Sequence, residues 1–147
     1  MASRPVDAEC ARNLRRTWFH TLYEFASPKM QSWWCGGGPP GLCISYVELM
    51  CTWFDDLFDQ GGTQMAVDQG WLSHAEAHAI AELHQVADAY EEPKGPTSLV
   101  LHDPEWHHVV RIAQHAWCDL HALIDEPDDV AQMRMLESKY GRITRPR

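Results

Sequence analysis

The segment 103-DPEWHHVVRIAQHAWCDLHALID-125 carries the strongest helix signal in the chain. Asp103 is a good N-cap, Pro104 suits the first helical position and Glu105 places negative charge in the first turn. At about 100° per residue, Trp106, Val109, Val110, Ala113, Trp117, Leu120 and Ile124 fall on one side. Asp125 to Pro127 break the pattern. An apolar stripe this long needs a partner surface, and the rest of the chain supplies further helices.

Ser73, with Glu76 three residues on, forms a capping box and opens a helix whose apolar side holds Leu72, Ala79, Leu83, Val86, Ala87 and Tyr90. Pro93, Gly95 and Pro96 end it. A helix from about Asp128 to Tyr140 buries Val130, Met133 and Leu136, with Gly141 closing it and a basic tail, about 141–147, expected to fray. Toward the N-terminus, a helix from Val6 to Ala26 carries Ala11, Leu14, Trp18, Leu22 and Phe25, and Pro28 stops it. The loop Trp33 to Gly41, rich in Gly and Pro, is irregular. A further helix from Cys43 to Asp59 has the stripe Cys43, Val47, Met50, Cys51, Phe54, Leu57 and Phe58 and ends at Gly61-Gly62. Short strands fit only at Leu42–Val47 or Leu99–Leu101. The expectation is one all-α domain over 1–147, a bundle of four to five helices with long loops at 27–41, 60–72 and 93–102 and at most one short strand.

A chain of 147 residues can build a real core without disulfide or metal support. Its five cysteines are odd in number and lack a C-x-x-C pair, so they read as reduced thiols, mostly small core residues. No stretch approaches the 18 apolar residues of a membrane span, and the first residues have no apolar signal region. A cytoplasmic location is expected. Of the seven tryptophans, about five are expected in the core and the rest near surfaces.

Charge is the most unusual feature. The net charge is −9, yet eight of the twelve basic residues lie at the two ends: Arg4, Arg12, Arg15, Arg16, Lys139, Arg142, Arg145 and Arg147. Residues 17–138 hold four basic against 19 acidic residues, a net of −15. Such a body repels nucleic acid and attracts a basic partner. The carboxylates Glu48, Asp55 and Asp59, with Asp56 adjacent, line one side of the expected Cys43–Asp59 helix. Trp33, Trp34 and Trp71 are candidate apolar anchors beside this surface. The competing reading of the same residues is a solvated acidic face.

A metal reading is the runner-up. His74 and His78 share one helix side at i, i+4, His108, His115 and Asp119 share another, and His115-x-x-Cys118-x-x-His121 adds softer ligands nearby, so zinc is the alternative cofactor against none. Both groups lie opposite the apolar stripes, apart from His121 at a flank. Glu76 is in the wrong place for H-E-x-x-H, and Glu105-x-x-His108 is a half di-iron pattern without a second copy. Nucleophile elbows, P-loops and dinucleotide fingerprints are missing, and Gly36-Gly37-Gly38 runs into two prolines that lack phosphate-binding N–H groups. A homodimer using the extra tryptophans is a third reading.

In size, acidity, lack of catalytic motifs and aromatic-plus-acidic surface candidates such as Trp34, Glu48, Asp55 and Asp59, the chain resembles the immunity proteins of bacterial toxin systems. The resemblance implies a small cytoplasmic binding protein, more a blocker than an enzyme, that neutralises a basic toxin domain. The basic ends depart from a uniformly acidic surface.

Overall fold

The computed structural model describes residues 5–58 and 62–147. In chain order the helices are α1 (Pro5–Ala26), α2 (Pro28–Gln31), α3 (Tyr46–Cys51) running into a π-helical segment (Thr52–Phe58), α4 (Gly62–Asp68), α5 (His74–Ala89), α6 (Ser98–Leu101), α7 (Pro104–Leu123) and α8 (Pro127–Tyr140). The fold is all-α, and no strand occurs among the described residues.

The start of α7 is as expected: Asp103 accepts a hydrogen bond from the Glu105 N–H at 3.0 Å. Its whole predicted stripe is buried, and α7 packs mainly on α1 and α5. The centre of the core is aromatic. Trp18, Phe19, Tyr23, Phe25, Trp53, Trp106 and Trp117 are each 2% exposed or less, and Trp53 packs edge-on against both Trp18 and Phe25. Five tryptophans are buried, while Trp33 and Trp71 are half-buried. The capping box at α5 is complete, with Ser73 and Glu76 bonding each other's backbone N–H.

Several expectations are corrected. α1 ends at Ala26 as expected, but the segment after it is not all loop: Ser27 caps the Met30 N–H and Pro28 takes the first position of the short helix α2. That turn places Gln31 in the core, where its amide donates to the Glu24 and Phe25 carbonyls (2.9 Å each) and its oxygen accepts from Trp106 Nε1 (3.0 Å). The orphan carbonyls at the end of α1 are thereby satisfied. The segments Leu42–Val47 and Leu99–Leu101 are not strands: Ser45 caps α3, and Ser98–Leu101 is one helical turn. Part of the expected 60–72 loop is α4.

The stripe expected on the Cys43–Asp59 helix holds in part, with Leu57 buried and Met50, Phe54 and Phe58 packed on the core, and is shifted at its other positions. Tyr46, Leu49, Trp53 and Leu57 are buried, whereas Cys43, Val47 and Cys51 are exposed. Burying large aromatic rings outweighs burying a valine and two cysteines, because the favourable term scales with apolar area. Beyond Cys51 the wider turns of the π segment rotate less per residue, so a count at 100° drifts. Cysteines were expected mostly inside, yet Cys10, Cys35, Cys43 and Cys51 are exposed.

Two polar assemblies tie the helices together. Arg15 of α1 forms a fork onto Glu76 of α5 (3.0 and 2.9 Å), reaches Asp129 of α8 (2.7 Å) and donates to the Trp71 carbonyl (2.8 Å). The segment after α8 makes contacts with the helices at Gly141, Ile143 and Arg145. The Tyr23 hydroxyl donates to the Gly141 carbonyl, the Ile143 N–H donates to Glu137 Oε2 at 3.0 Å, and Arg145 pairs with Asp119 at 2.7 Å.

Candidate functional site

Glu48 on α3 and Asp55 and Asp56 on the π segment are all exposed. None of the three forms an ion pair with a described residue. Asp59, like Arg4 and Gly61, lies outside the described residues. Trp34 is not available as an anchor: it is 8% exposed, packs on Tyr46 and Trp106, and donates its Nε1–H to Glu24 Oε2 at 3.0 Å. Trp33 is half-buried against Tyr140, with the Lys29 ammonium 6.0 Å from its ring. Trp71 is half-buried, and its carbonyl serves Arg15.

The candidate metal ligands do not converge. His74 and His78 are exposed at the start of α5, and His108 is exposed on α7. His115 contacts Arg145 at 3.3 Å, and the Cys118 thiol faces the Ile143 carbonyl, so the C-terminal segment covers that side of α7. Among the described residues no three His, Cys, Asp or Glu side chains are placed to share an ion.

What the fold does assemble is a cleft of about 400 Å³ between α1 and α3, with Gln132 of α8 at one side. Ile44 and Leu49 give it an apolar wall, and Thr17, His20, Thr21 and Glu24 of α1 give it a polar one. These four positions are spaced i, i+3, i+4 and i+7, which puts them on one side of a helix. Glu48 lines the same cleft, whereas Asp55 and Asp56 are not among its lining residues.

Glu24 is the unusual group. It is 6% exposed. One carboxylate oxygen is held by Trp34, and the other has no hydrogen-bond partner among the described residues. Burial pushes its pKa up to about 7; the Trp34 hydrogen bond opposes this and nearby Glu48 adds to it. No cation offsets the burial. Burial, aided by Lys139, lowers the pKa of His20, so its imidazole is neutral at neutral pH. The Gln132 amide donates to the Arg16 carbonyl at 2.9 Å, while its own oxygen is buried without a donor. The Thr17 hydroxyl spends its hydrogen on the Asn13 carbonyl (2.9 Å), which leaves its oxygen as an acceptor. The cleft is therefore rich in acceptors.

No motif in the sequence singles out Glu24. The available signal is the polar stripe Thr17, His20, Thr21, Glu24 inside a helix whose other positions from 18 to 26 are apolar or aromatic. Compared with protein-family models, with curated proteins and with solved structures, the chain finds no match.

Proposed function

We propose that the chain is a protein-binding module that docks a basic partner on the edge formed by Glu48, Asp55 and Asp56, in the manner of toxin-immunity proteins. One observation carries this reading. Those carboxylates stand exposed and pair with no cation among the described residues, while Arg15 is taken up by Glu76 and Asp129 and the exposed Arg145 by Asp119. The acidic body, −15 over residues 17–138, therefore keeps an uncompensated field on this edge. A field of one sign steers an oppositely charged partner and weakens as salt screens it, with a Debye length of about 8 Å at physiological ionic strength. The half-buried Trp33 and Trp71 are the remaining candidates for an apolar contact.

The test is capture from the native host's lysate with tagged chain, followed by kinetics on the captured protein. A stoichiometric basic protein is expected, released as salt rises. The triple substitution Glu48→Lys, Asp55→Lys, Asp56→Lys is expected to slow its association by about tenfold or more. Capture of no basic protein, or a partner whose association and salt dependence are unchanged by the triple substitution, overturns the reading.

A further inference from the structure

Every other deeply buried charge in this fold has an opposite partner: Glu76 and Asp129 share Arg15. Glu24 alone lies 94% buried, given its exposure of 6%, with no cation beside it among the described residues. Glu24 is one of the residues that line an open cleft. Gln132, whose Oε1 is buried without a donor, lines the same cleft, and Thr17 offers a further acceptor. A carboxylate this deeply buried with one oxygen lacking a donor and no counter-cation is uncommon in native proteins, and a cationic ligand is one of the few things that completes it.

We propose that the α1–α3 cleft is a binding site for an alkylammonium group, whose N–H donors bond the free carboxylate oxygen of Glu24 and the neighbouring acceptors. A protonated primary amine has three N–H donors and no acceptor, which matches a wall that offers oxygens. Ile44 and Leu49 face the alkyl stem. Glu48, beside the cleft, adds a second negative charge. Guanidinium suits the charge but needs a planar fork of acceptors, and a single free carboxylate oxygen provides none.

The charged and titratable groups around Glu24 are Arg16 and His20 on α1, Cys43 before α3, Glu48 on α3, and Lys139 of α8 acting on His20. Arg16 is exposed at the rim. The neutral form of His20 adds no positive charge to the cleft at neutral pH, which leaves Arg16 as the cation among the lining residues. Only the ionised form of Glu24 binds an ammonium well. Affinity therefore rises with pH until Glu24 is ionised, and binding at neutral pH releases a proton.

The experiment is a titration of the full chain, followed by amide NMR, with four probes: n-butylammonium, Nα-acetyl-lysine N-methylamide, butyrate and butyramide. Both ammonium probes are expected to shift residues 17–24 and 43–52. Affinity is expected to fall by at least about tenfold from about pH 8 to about pH 5.5, and Glu24→Gln is expected to lose about tenfold or more at pH 8. Glu48→Gln, which leaves the core untouched, is expected to lose a smaller factor. The lysine derivative binding more tightly assigns the site to a side chain of a docked protein; butylammonium binding as well or better assigns it to a free amine. Binding of butyrate or butyramide equal to that of butylammonium overturns the proposal, as does no shift with either ammonium probe, or ammonium binding that Glu24→Gln leaves intact. None of these outcomes depends on the acidic edge docking a partner, so this proposal and the docking reading can fail separately.

Discussion

Replacing Glu24 with Gln should stabilise the protein, and only above a defined pH. The carboxyl rises from an ordinary value of 4.5 to about 7 in the fold, mainly through burial. Each tenfold change in proton affinity is worth about 1.4 kcal/mol, so ionised Glu24 costs the fold about 3 kcal/mol. The sign follows from the proton count. Between the unfolded and folded values the folded state holds more protons, so stability falls as pH rises through that window and is level above it. Gln is neutral, nearly the same shape, and keeps a carbonyl to accept from Trp34 Nε1. The variant should match the parent at about pH 4.5 and exceed it by about 3 kcal/mol at about pH 8. Urea unfolding followed by tryptophan fluorescence reads this directly. With a urea slope of about 2 kcal/mol/M, the midpoint should move up by about 1.5 M at the higher pH. Taking the difference between two chains cancels every other titrating group. A difference that does not change with pH, or a variant weaker than its parent at pH 8, would show that Glu24 has a compensating partner and would remove the physical basis for the cleft.

The Arg15 assembly behaves in the opposite sense. Arg15→Met strands Glu76 and Asp129, 7% and 8% exposed, and should cost about 3–5 kcal/mol at neutral pH, with about 10 °C or more lost from the melting temperature. Burial alone would raise the Glu76 pKa, but the hydrogen bonds from Arg15 and the Ser73 backbone hold it below the ordinary value. The stability that this supplies is present above about pH 4.5 and lost as pH falls through the folded value; Arg15→Met should flatten that acid limb, and a full limb in the variant would contradict the assignment. At the C-terminal segment, Ile143→Ala should speed alkylation of Cys118, read by peptide mass spectrometry, while Cys10 stays at its parental rate. Equal Cys118 rates in the two chains would mean that the segment does not shield the thiol.

The helices that begin with strong local chemistry were legible in the sequence. Asp103-Pro104-Glu105 and Ser73…Glu76 set where α7 and α5 begin, because a cap satisfies orphan N–H groups whatever lies elsewhere in the fold. The α7 stripe was legible because seven apolar positions at helical spacing leave one choice of buried side. The side buried by α3 was not, since Tyr46 and Trp53 compete with Val47 and Cys51 and the outcome depends on which cavity the partner helices leave. The π turn after Cys51 has no composition signal in Thr52–Phe58. Exposure of the acidic residues Glu48, Asp55 and Asp56 followed from charge alone, but the burial of Trp34 did not. Its neighbours are Gly, Pro and Cys, and only the turn at Ser27–Gln31 brings it back onto Glu24.

The placement of Glu24 is the strongest reason to look for function beside α3. A fold that satisfies Glu76 and Asp129 with a forked arginine, and the end of α1 with the Gln31 amide, has the means to neutralise a buried carboxylate. At Glu24, which lines the cleft, it supplies a single indole N–H and gives the other oxygen no donor among the described residues. Removing that charge by Gln would cost nothing in shape and would stabilise the fold. A carboxylate kept where an amide is better for stability is the pattern expected when activity requires a destabilised site. The same cleft has Glu48 at its edge, and the π segment, an arrangement frequent at functional sites, continues directly from α3. A basic partner drawn to Glu48, Asp55 and Asp56 would therefore meet the mouth of the cleft, and a lysine side chain would find its buried counter-ion there.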